Sequence, residues 1–318
     1  MPVIQLTVAR TPAVPSLWVQ YTVRSTLYTA RGTRFNPPRH YNGLFGSGDR
    51  LMFQGFRNRR ETAIGRENGC EVKPLQVDVL AFGAHPDDLE LTCGGTLAKF
   101  ERQGYAVAML ALTAGELSTR GSVEIRAREF AAAAAILGAA HHRILNLPDG
   151  DLGPDPAQKL VVARVIREYR PKLVLAPYWK DRHPDHANAS RLVTEASFVA
   201  GLARYDPATP SHRPRRILYY ASRYEFHPSF IVDVSETHDL KMQAIRAYRS
   251  QFYDERNEQD EPETNISHPG FLEAIIARGK QYGSYVGVTY GEPFLVREPL
   301  RLDDPVEFFG EEYRRSFL

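Results

Sequence analysis

Alternating hydrophobic patterns from Leu75 onward constrain the fold of this chain more than any other feature of its sequence. Short runs rich in valine, leucine and phenylalanine, typical of buried strands, alternate with longer amphipathic or alanine-rich segments, typical of helices. The predicted strands are 76–83, 106–113, 142–147, 172–176, 216–221 and 230–234, and the predicted helices are 94–104, 123–137, 156–169, 185–202, 240–251 and 269–283. This alternation, with short connections, predicts an α/β fold with a mainly parallel sheet and helices on both faces.

The first 74 residues lack this pattern. They are rich in arginine and poor in acids, and only one alternating run, Leu17–Tyr28, is compatible with a strand. We therefore predict two regions: a basic, poorly ordered N-terminal extension over residues 1–74 and one folded domain over residues 75–318. Nucleic-acid binding by the extension is the lesser alternative, because basic runs are more often solvated tails.

Composition narrows the class of protein. A formal net charge of +2 over 318 residues argues against a surface built to coat nucleic acid. No run of about 18 apolar residues predicts a membrane span, and Arg10 with two prolines interrupts the start of the chain, where a signal peptide needs an apolar segment. Two cysteines, Cys70 and Cys93, are too few for a disulfide framework. We predict a cytoplasmic protein.

Two groups of metal-ligand side chains directly follow predicted strands. Residues 85–88 (HPDD) follow the first strand and residues 183–186 (HPDH) follow the fourth. Because ligands of open α/β sheets bind beyond the carboxyl ends of the strands, we expect these groups to lie together. Imidazole and carboxylate suit zinc and its divalent neighbours, and a catalytic zinc takes three protein ligands and leaves one position open. His85, Asp88 and one histidine of the second group meet that requirement.

The remaining polar residues of the two groups suit catalysis. Asp87 and Asp88 would repel each other in an apolar crevice without a cation, so one carboxylate is expected to coordinate while the other acts as general base. His183 and His186 lie three apart on one helix face, one to bind metal and one to contact the reacting group. Asp185 is placed to orient an imidazole. The alternative is a pair of helix caps with surface histidines, which the strand-end position of both groups disfavours.

Three segments resemble the LmbE-type, or PIG-L-type, zinc N-deacetylases, and within that family the bacillithiol-pathway deacetylases of N-acetylglucosaminyl malate. The likeness extends over about residues 75–300 and is carried by AFGAHPDDLELTCGGTLAKF, LTAGELSTRGSVEIRAREFAAAAAILG and PYWKDRHPDHANAS. The resemblance implies a Rossmann-like fold, Zn²⁺ as cofactor with Fe²⁺ as the other candidate, and a small amino-sugar substrate. It leaves the oligomeric state open, with a homo-oligomer as one expectation.

The resemblance also implies roles for individual residues. His85, Asp88 and His186 match the zinc ligands. Asp87 matches the general base, and His183 matches the residue that stabilises the oxyanion or protonates the leaving amine.

Two further positions follow from the same resemblance. Arg126 matches an arginine that contacts the substrate, and a bidentate guanidinium suits a carboxylate such as that of malate. Phe271 stands where some relatives place a mobile tyrosine, so a tyrosine contribution to oxyanion binding is not expected from this position. Two alternatives to this function are a deacetylase of another amino sugar or chito-oligosaccharide, and a non-catalytic Rossmann-like binding module.

Overall fold

A seven-stranded sheet, with strand order β3-β2-β1-β4-β5-β7-β6, forms the centre of the protein in this computed structural model. The structure describes residues 75–252 and 262–310, all within one compact unit of the chain, Gly69–Leu318. The strands are β1 (Val79–Gly83), β2 (Val107–Ala111), β3 (His141–Ile144), β4 (Leu173–Pro177), β5 (Arg216–Tyr220), β6 (Phe230–Asp233) and β7 (Gly291–Leu295). The predicted extension over residues 1–74, with its Leu17–Tyr28 run and Cys70, lies outside the described residues and stays a prediction.

Seven helices accompany this sheet in the described part of the chain. They are α1 (Asp88–Arg102), α2 (Val123–Ile136), α3 (Pro156–Tyr169), α4 (Pro184–Ala200), α5 (His238–Arg246), α6 (Phe271–Tyr285) and α7 (Pro305–Gly310). No helix among them is long and apolar enough to cross a membrane.

Strands β1 to β5 pair in parallel, whereas β7 runs antiparallel to both β5 and β6. The prediction of a mainly parallel sheet is confirmed. Strand β1 lies between β2 and β4, so the chain reverses direction of winding at this strand. That reversal is the position at which open α/β sheets bind ligands.

Two hydrophobic cores cover the two faces of the sheet, because successive strand side chains point to opposite faces. From β1, Val79 and Ala81 join a core with residues of α1, α2, α5 and α6. Leu80 and Phe82 join the other core, which includes residues of α3 and α4. The prediction of helices on both faces is therefore confirmed.

The structure corrects several element boundaries. Helix α1 begins at Asp88 rather than at residue 94, α5 ends at Arg246 rather than at 251, and β3 ends at Ile144 rather than at 147. The sequence pattern predicts neither strand β7 nor helix α7. Strand β7 escapes prediction because its sequence, GEPFL, contains a glycine and a proline, which argue against an interior strand.

Candidate metal centre

The two predicted groups lie at the carboxyl ends of neighbouring strands, β1 and β4. The first group ends where α1 begins, at Asp88, and the second begins α4. Pro184 suits the first turn of α4 because its fixed φ is already helical and it has no N–H to satisfy. His183 caps this helix, since its Nδ1 accepts the backbone N–H of Asp185 at 3.2 Å. Both turns are therefore fixed by ordinary helix-start chemistry.

The structure brings the proposed ligand set together. Single donor atoms of His85, Asp88 and His186 lie within 4.8 Å of one another, and the set His85, His183 and Asp185 meets the same limit. Asp88 Oδ1 lies 3.1 Å from His186 Nε2, and Asp88 Oδ2 lies 3.6 Å from His85 Nδ1. Asp88 Oδ2 also accepts the backbone N–H of His85 at 2.8 Å. Geometry thus accommodates a cation here without choosing between the two histidines of the second group.

The electrostatics of this cluster favour a positive charge. Burial disfavours the protonated form of His186, but Asp88 and Asp181 outweigh it and raise the pKa of His186 to about 10. Burial likewise opposes ionisation of Asp88, yet His186 and His85 hold the pKa of Asp88 well below its usual range. Buried carboxylates that hold imidazoles in their charged form are the same groups that a divalent cation neutralises. The donor set therefore fits zinc or a related ion.

Asp87 lies beside this cluster in a strained conformation. Its φ of 104° is in the left-handed region, which is costly for a residue other than glycine and is often found at functional sites. Nη2 of Arg126 lies 3.2 Å from Asp87 Oδ2 and donates to the carbonyl oxygen of Pro86 at 2.6 Å. Burial raises the pKa of Asp87 to about 6, although the positive charge of Arg126 acts in the opposite direction. A carboxylate in this state suits proton transfer near neutral pH.

His183 stands at the exposed edge of the cluster. Burial, and then the neighbouring His85, lower the pKa of His183, which favours its neutral ring. Because Nδ1 accepts an N–H, the proton of that neutral ring belongs on Nε2. His183 can therefore donate one hydrogen bond from Nε2.

The side chain of Asp185 lies beside His85, while its backbone N–H donates to the His183 ring. Its Oδ2 accepts the N–H of Gly150 at 2.7 Å and lies 3.4 Å from His85 Nε2, and its Oδ1 accepts the N–H of Leu152 at 3.4 Å. This placement is compatible with the predicted role of Asp185 in orienting an imidazole, which here is that of His85.

Two acidic residues that the sequence reasoning missed complete the surroundings of the histidines. Asp149 Oδ1 lies 3.1 Å from His85 Nε2, and its Oδ2 accepts the N–H of Leu117 at 3.0 Å. Asp181 Oδ1 lies 3.2 Å from His186 Nδ1. Asp181 follows β4 and Asp149 follows β3, so the strand-end rule contained a signal for both.

A pocket of about 400 Å³, called the inner pocket below, opens onto these groups. Its polar end carries the metal-ligand candidates, Asp87, Arg126 and His183, and its other walls include Leu117, Arg223, Phe271, Ile275 and Arg278. Phe271 begins α6 and stacks on Phe252 with ring centroids 5.9 Å apart. Phe271 therefore lies in the wall of the inner pocket, while its correspondence to the tyrosine of some relatives and its part in catalysis stay predictions.

Much of this chain, including both strand-end groups, is similar in sequence to known proteins. Residues 80–197 match the family model of PIG-L, the GlcNAc-PI de-N-acetylase. A diacetylchitobiose deacetylase from Thermococcus kodakarensis is 32% identical over 227 residues, which cover 67% of this chain and 80% of the relative. A 4-oxalmesaconate hydratase from Pseudomonas putida is 27% identical over 199 residues, covering 55% of this chain and 74% of the relative.

A solved structure agrees in fold. The conserved protein TT1542 from Thermus thermophilus is 39% identical and superposes with a TM-score of 0.65, covering 72% of this chain and 98% of that protein. The identity to these well-covered relatives, together with the family model over the two strand-end groups, shows that the chain belongs to the PIG-L family of N-deacetylases.

Proposed function

We propose that this protein is a metal-dependent hydrolase that removes the N-acetyl group from an N-acetylglucosamine-type substrate, with N-acetylglucosaminyl L-malate of bacillithiol biosynthesis as that substrate. One observation carries the proposal: a donor set of one buried aspartate and two partly buried histidines lies beside a second carboxylate, Asp87, in one pocket. A binding module has no need for a general base next to metal ligands. The named deacetylase among the relatives supports the reaction class.

The proposed ligands are His85, Asp88 and His186, and the proposed ion is Zn²⁺, with Fe²⁺ as the alternative. A bound zinc ion supplies Lewis acidity to the acetyl carbonyl and lowers the pKa of a water molecule toward ~7. Asp149 and Asp185 both face Nε2 of His85, which leaves Nδ1 on the side of Asp88. These contacts fix the orientation of the His85 ring.

Asp87 is the proposed general base. It takes a proton from the attacking water, and its pKa of about 6 keeps it ionised yet basic near neutral pH. Arg126 holds the carboxylate through Oδ2 and the adjoining backbone through the Pro86 carbonyl oxygen. The contact between Arg126 and a substrate carboxylate, which the family resemblance implies, remains a prediction in addition to this positioning of Asp87.

His183 is the proposed partner of the reacting amide. The Nε2–H of its neutral ring donates to the oxygen on which negative charge develops. For the alternative role, delivery of a proton to the departing amine, the ring first takes a second proton from solvent, to which His183 is exposed, so that loss of one proton returns it to the neutral form. Acetate and a free glucosamine-type amine are the products.

Two other reactions have support from particular relatives. The Thermococcus kodakarensis relative acts, by its name, on diacetylchitobiose, which favours a chito-oligosaccharide as the alternative substrate. The Pseudomonas putida relative is a hydratase, so addition of water without loss of acetate is a second candidate reaction. Release of acetate distinguishes deacetylation of a chito-oligosaccharide from hydration.

The experiment measures acetate release by metal-loaded full-length protein from N-acetylglucosaminyl malate, diacetylchitobiose and N-acetylglucosamine. Asp87→Asn is expected to lower kcat on the preferred substrate by roughly 10²–10⁴-fold, the usual contribution of a general base, with unchanged metal content. Asp151→Asn, on the exposed part of the loop that carries Asp149, is the matched control and should retain wild-type turnover. Unaltered turnover in Asp87→Asn contradicts its role, and absence of acetate from all three compounds contradicts deacetylation.

A further inference from the structure

The last described segment of the chain, residues 298–310, lies entirely on the surface and is called the arm below. Every residue of the arm is exposed, and helix α7 within it buries no side chain. Val306 is 80% exposed. The exposed large apolar side chains of the arm are Leu300, Leu302, Val306, Phe308 and Phe309. So many neighbouring apolar side chains on one exposed segment are typical of a surface that another molecule covers.

Helix α7 is too short to be stable on local preference alone. It has six residues, whereas isolated helices of fewer than about 12–15 residues are marginal in water. Asp304 caps it, since its Oδ1 accepts the N–H groups of Val306 and Glu307 at 2.8 and 3.0 Å. Such a cap contributes only about 1 kcal/mol. An apolar surface on another molecule would supply the packing that α7 lacks against the described part of its own domain.

The arm is acidic. Its charged residues are four carboxylates and one arginine: Glu298, Arg301, Asp303, Asp304 and Glu307. The arginine is engaged within the arm, because its Nη2 lies 2.6 Å from Asp303 Oδ1. Asp304 and Glu307 have no ion pair within the described residues. The arm therefore presents carboxylates beside exposed apolar side chains.

A surface of opposite charge lies at the amino ends of β4 and β5 and is called the basic patch below. Its cations are Arg213, Arg215 and Arg216, which are all exposed and have no ion pair within the part of the chain that the structure describes. The backbone of this segment is fixed to the start of β4. The N–H of Arg215 donates to the carbonyl oxygen of Lys172 at 2.8 Å, and Arg216 lies opposite Leu173 in the parallel pairing.

Exposed apolar side chains at the end of α4 adjoin these arginines. The guanidinium carbon of Arg213 lies 4.7 Å from the centre of the Phe198 ring, and its Nη2 donates to the carbonyl oxygen of Phe198 at 3.2 Å. The Phe198 side chain is 57% exposed, and Leu202, just after α4, is exposed as well. The basic patch thus combines positive charge with apolar side chains, which is the complement of the arm.

Two carboxylates in the segments next to the basic patch already have cations of their own. Asp78 Oδ1 lies 2.6 Å from Lys172 Nζ, and Asp206 Oδ2 lies 2.9 Å from Arg164 Nε. Neither forms an ion pair with an arginine of the patch within the described residues. The positive charge of the patch is therefore available to carboxylates of another molecule.

We propose that the arm of one copy of this chain binds the basic patch of a second copy. Carboxylates of the arm then face the three arginines, and the apolar side chains of α7 cover Phe198 and Leu202. Because each copy carries both halves of the contact, the product is a homo-oligomer that closes by reciprocal exchange of arms or as a ring. The N-terminal extension is a poor occupant of the patch, because it is itself rich in arginine and has the same sign of charge.

Sedimentation velocity of the full-length protein tests this contact independently of turnover. The wild-type protein is expected to form an oligomer whose Kd rises between about 0.1 M and about 1 M salt, because the Debye length falls from about 10 Å to about 3 Å. Two triple variants reverse the charge of one half each: Arg213→Glu/Arg215→Glu/Arg216→Glu and Asp303→Lys/Asp304→Lys/Glu307→Lys. Either one alone should raise the Kd of self-association by about tenfold or more, because like charges then oppose each other.

Mixing the two triple variants is the decisive measurement. The unchanged acidic arm of the patch variant meets the unchanged arginines of the arm variant, and the lysines of the second arm meet the glutamates of the first patch. The mixture should therefore associate with a Kd within about threefold of the wild-type value. Recovery on mixing shows that both variants are folded, and an arm bound to its own patch cannot produce it.

Three exposed arginines outside the basic patch provide the matched control. Arg128 lies on α2, Arg246 ends α5, and Arg249 follows α5. The variant Arg128→Glu/Arg246→Glu/Arg249→Glu makes the same change in net charge as the patch variant. It should keep the wild-type Kd if the position of the charge, rather than its total, determines association.

Each outcome decides the inference. Weaker association of both triple variants with recovery on mixing supports it. A wild-type protein that is monomeric at every concentration, self-association that neither variant weakens, or a mixture that stays monomeric overturns it. If the monomeric wild-type protein sediments with phosphatidylglycerol vesicles and the patch variant does not, an anionic lipid surface is the occupant instead of a second copy.

Discussion

Asp87 shows how one side chain determines the conformation of another at the site. Its φ of 104° and ψ of −24° would be unfavourable in isolation. Arg126 offsets that strain, because the same Nη2 donates to the carbonyl oxygen of Pro86 and lies 3.2 Å from the Asp87 carboxylate. The arginine is itself buried, so this contact is shielded from solvent. At the scale of residues, the proposed base is held by its partner rather than by its own backbone preference.

His238 is a buried histidine remote from the candidate metal centre, and we predict that it makes stability depend on pH. It stacks on Tyr290 with ring centroids 3.6 Å apart, and its Nε2 has no hydrogen-bond partner within the described residues. Burial, and then Lys241, lower its pKa in the folded protein. The unfolded chain therefore binds the proton more readily, and the free energy of unfolding contributed by this residue decreases as pH falls below about 6.5.

His238→Phe keeps a ring on Tyr290 and removes the titration. Urea unfolding at about pH 7.5 and about pH 5.5, on either side of the ordinary histidine pKa, should show a smaller loss of stability on acidification in this variant than in the wild-type protein. His227→Phe makes the same change at an exposed position and controls for the added hydrophobicity. Identical pH dependence in wild-type protein and His238→Phe would show that the buried histidine does not contribute.

The residues of the site differ in how far the sequence predicts them. The two groups that contain His85, Asp88 and His186 are predicted to lie together because both follow parallel strands, whereas the choice of His186 over His183 as a ligand comes from the family resemblance. Asp149 follows β3, so the strand-end rule points to it, but its contact with His85 depends on the path of the loop after β3, which contacts such as the Leu117 N–H determine. Sequence separation gives no information about such a contact.

At the scale of elements, α1 consists of two segments that meet at Cys93, where φ of −128° interrupts the helix. This interruption frees backbone N–H groups at the start of the second segment. The carboxylate of Glu292, on β7, accepts the N–H of Gly95 at 3.0 Å and that of Thr96 at 2.7 Å. Lys241 Nζ, on α5, pairs with the same carboxylate at 2.7 Å. One buried glutamate thus joins three elements.

We predict that removal of either partner of the Glu292–Lys241 pair lowers the stability of the protein, because the other partner is then buried without its counter-charge. Glu292→Gln leaves a buried ammonium without its anion and should lower the free energy of unfolding by about 3 kcal/mol. The double variant Glu292→Gln/Lys241→Met should be less destabilised than the sum of the two single variants, as measured by urea denaturation.

The exposed pair Lys172–Asp78 provides the control for this prediction. Its Nζ–Oδ1 distance of 2.6 Å is similar, but the lysine side chain is 55% exposed. Lys172→Met should therefore change stability by less than about 1 kcal/mol. A loss in Glu292→Gln no larger than that of Lys172→Met would show that burial does not strengthen the Glu292–Lys241 pair.

Element prediction fails where tertiary contacts override local preference. The sequence predicts the first helix only from residue 94, because Gly94 and Gly95 follow the polar turn and are unfavourable in a helix interior. Gly95 is required by packing instead, since a Cβ there would lie 2.9 Å from the Cβ of Val234. The glycine pair therefore allows close contact with the segment after β6 and does not mark the start of the helix, which is why the first segment of α1 is not predicted.

At the scale of the whole molecule, the reversal of winding at β1 determines where the chemistry can lie. Strands β1 and β4 are sequentially distant but adjacent in the sheet, so their carboxyl ends bring two sequentially remote groups into one crevice. The alternating pattern predicts these parallel strands well. It does not predict that β7 inserts between β5 and β6, because this order depends on antiparallel pairing across long connections.

The described domain is expected to carry the activity by itself. The match to TT1542 covers 98% of that protein but only 72% of this chain, so TT1542 has no counterpart of the remaining residues of this chain. The residues that form both cores and the candidate site all lie between residues 77 and 296. A variant that begins at Leu75 should therefore show the far-ultraviolet circular dichroism of an α/β protein, bind metal, and release acetate with kcat/KM within about twofold of the full chain. The full-length protein is the control in the same buffer and at the same metal load. A folded, metal-loaded variant with strongly reduced turnover would instead assign the first 74 residues a direct part in the reaction.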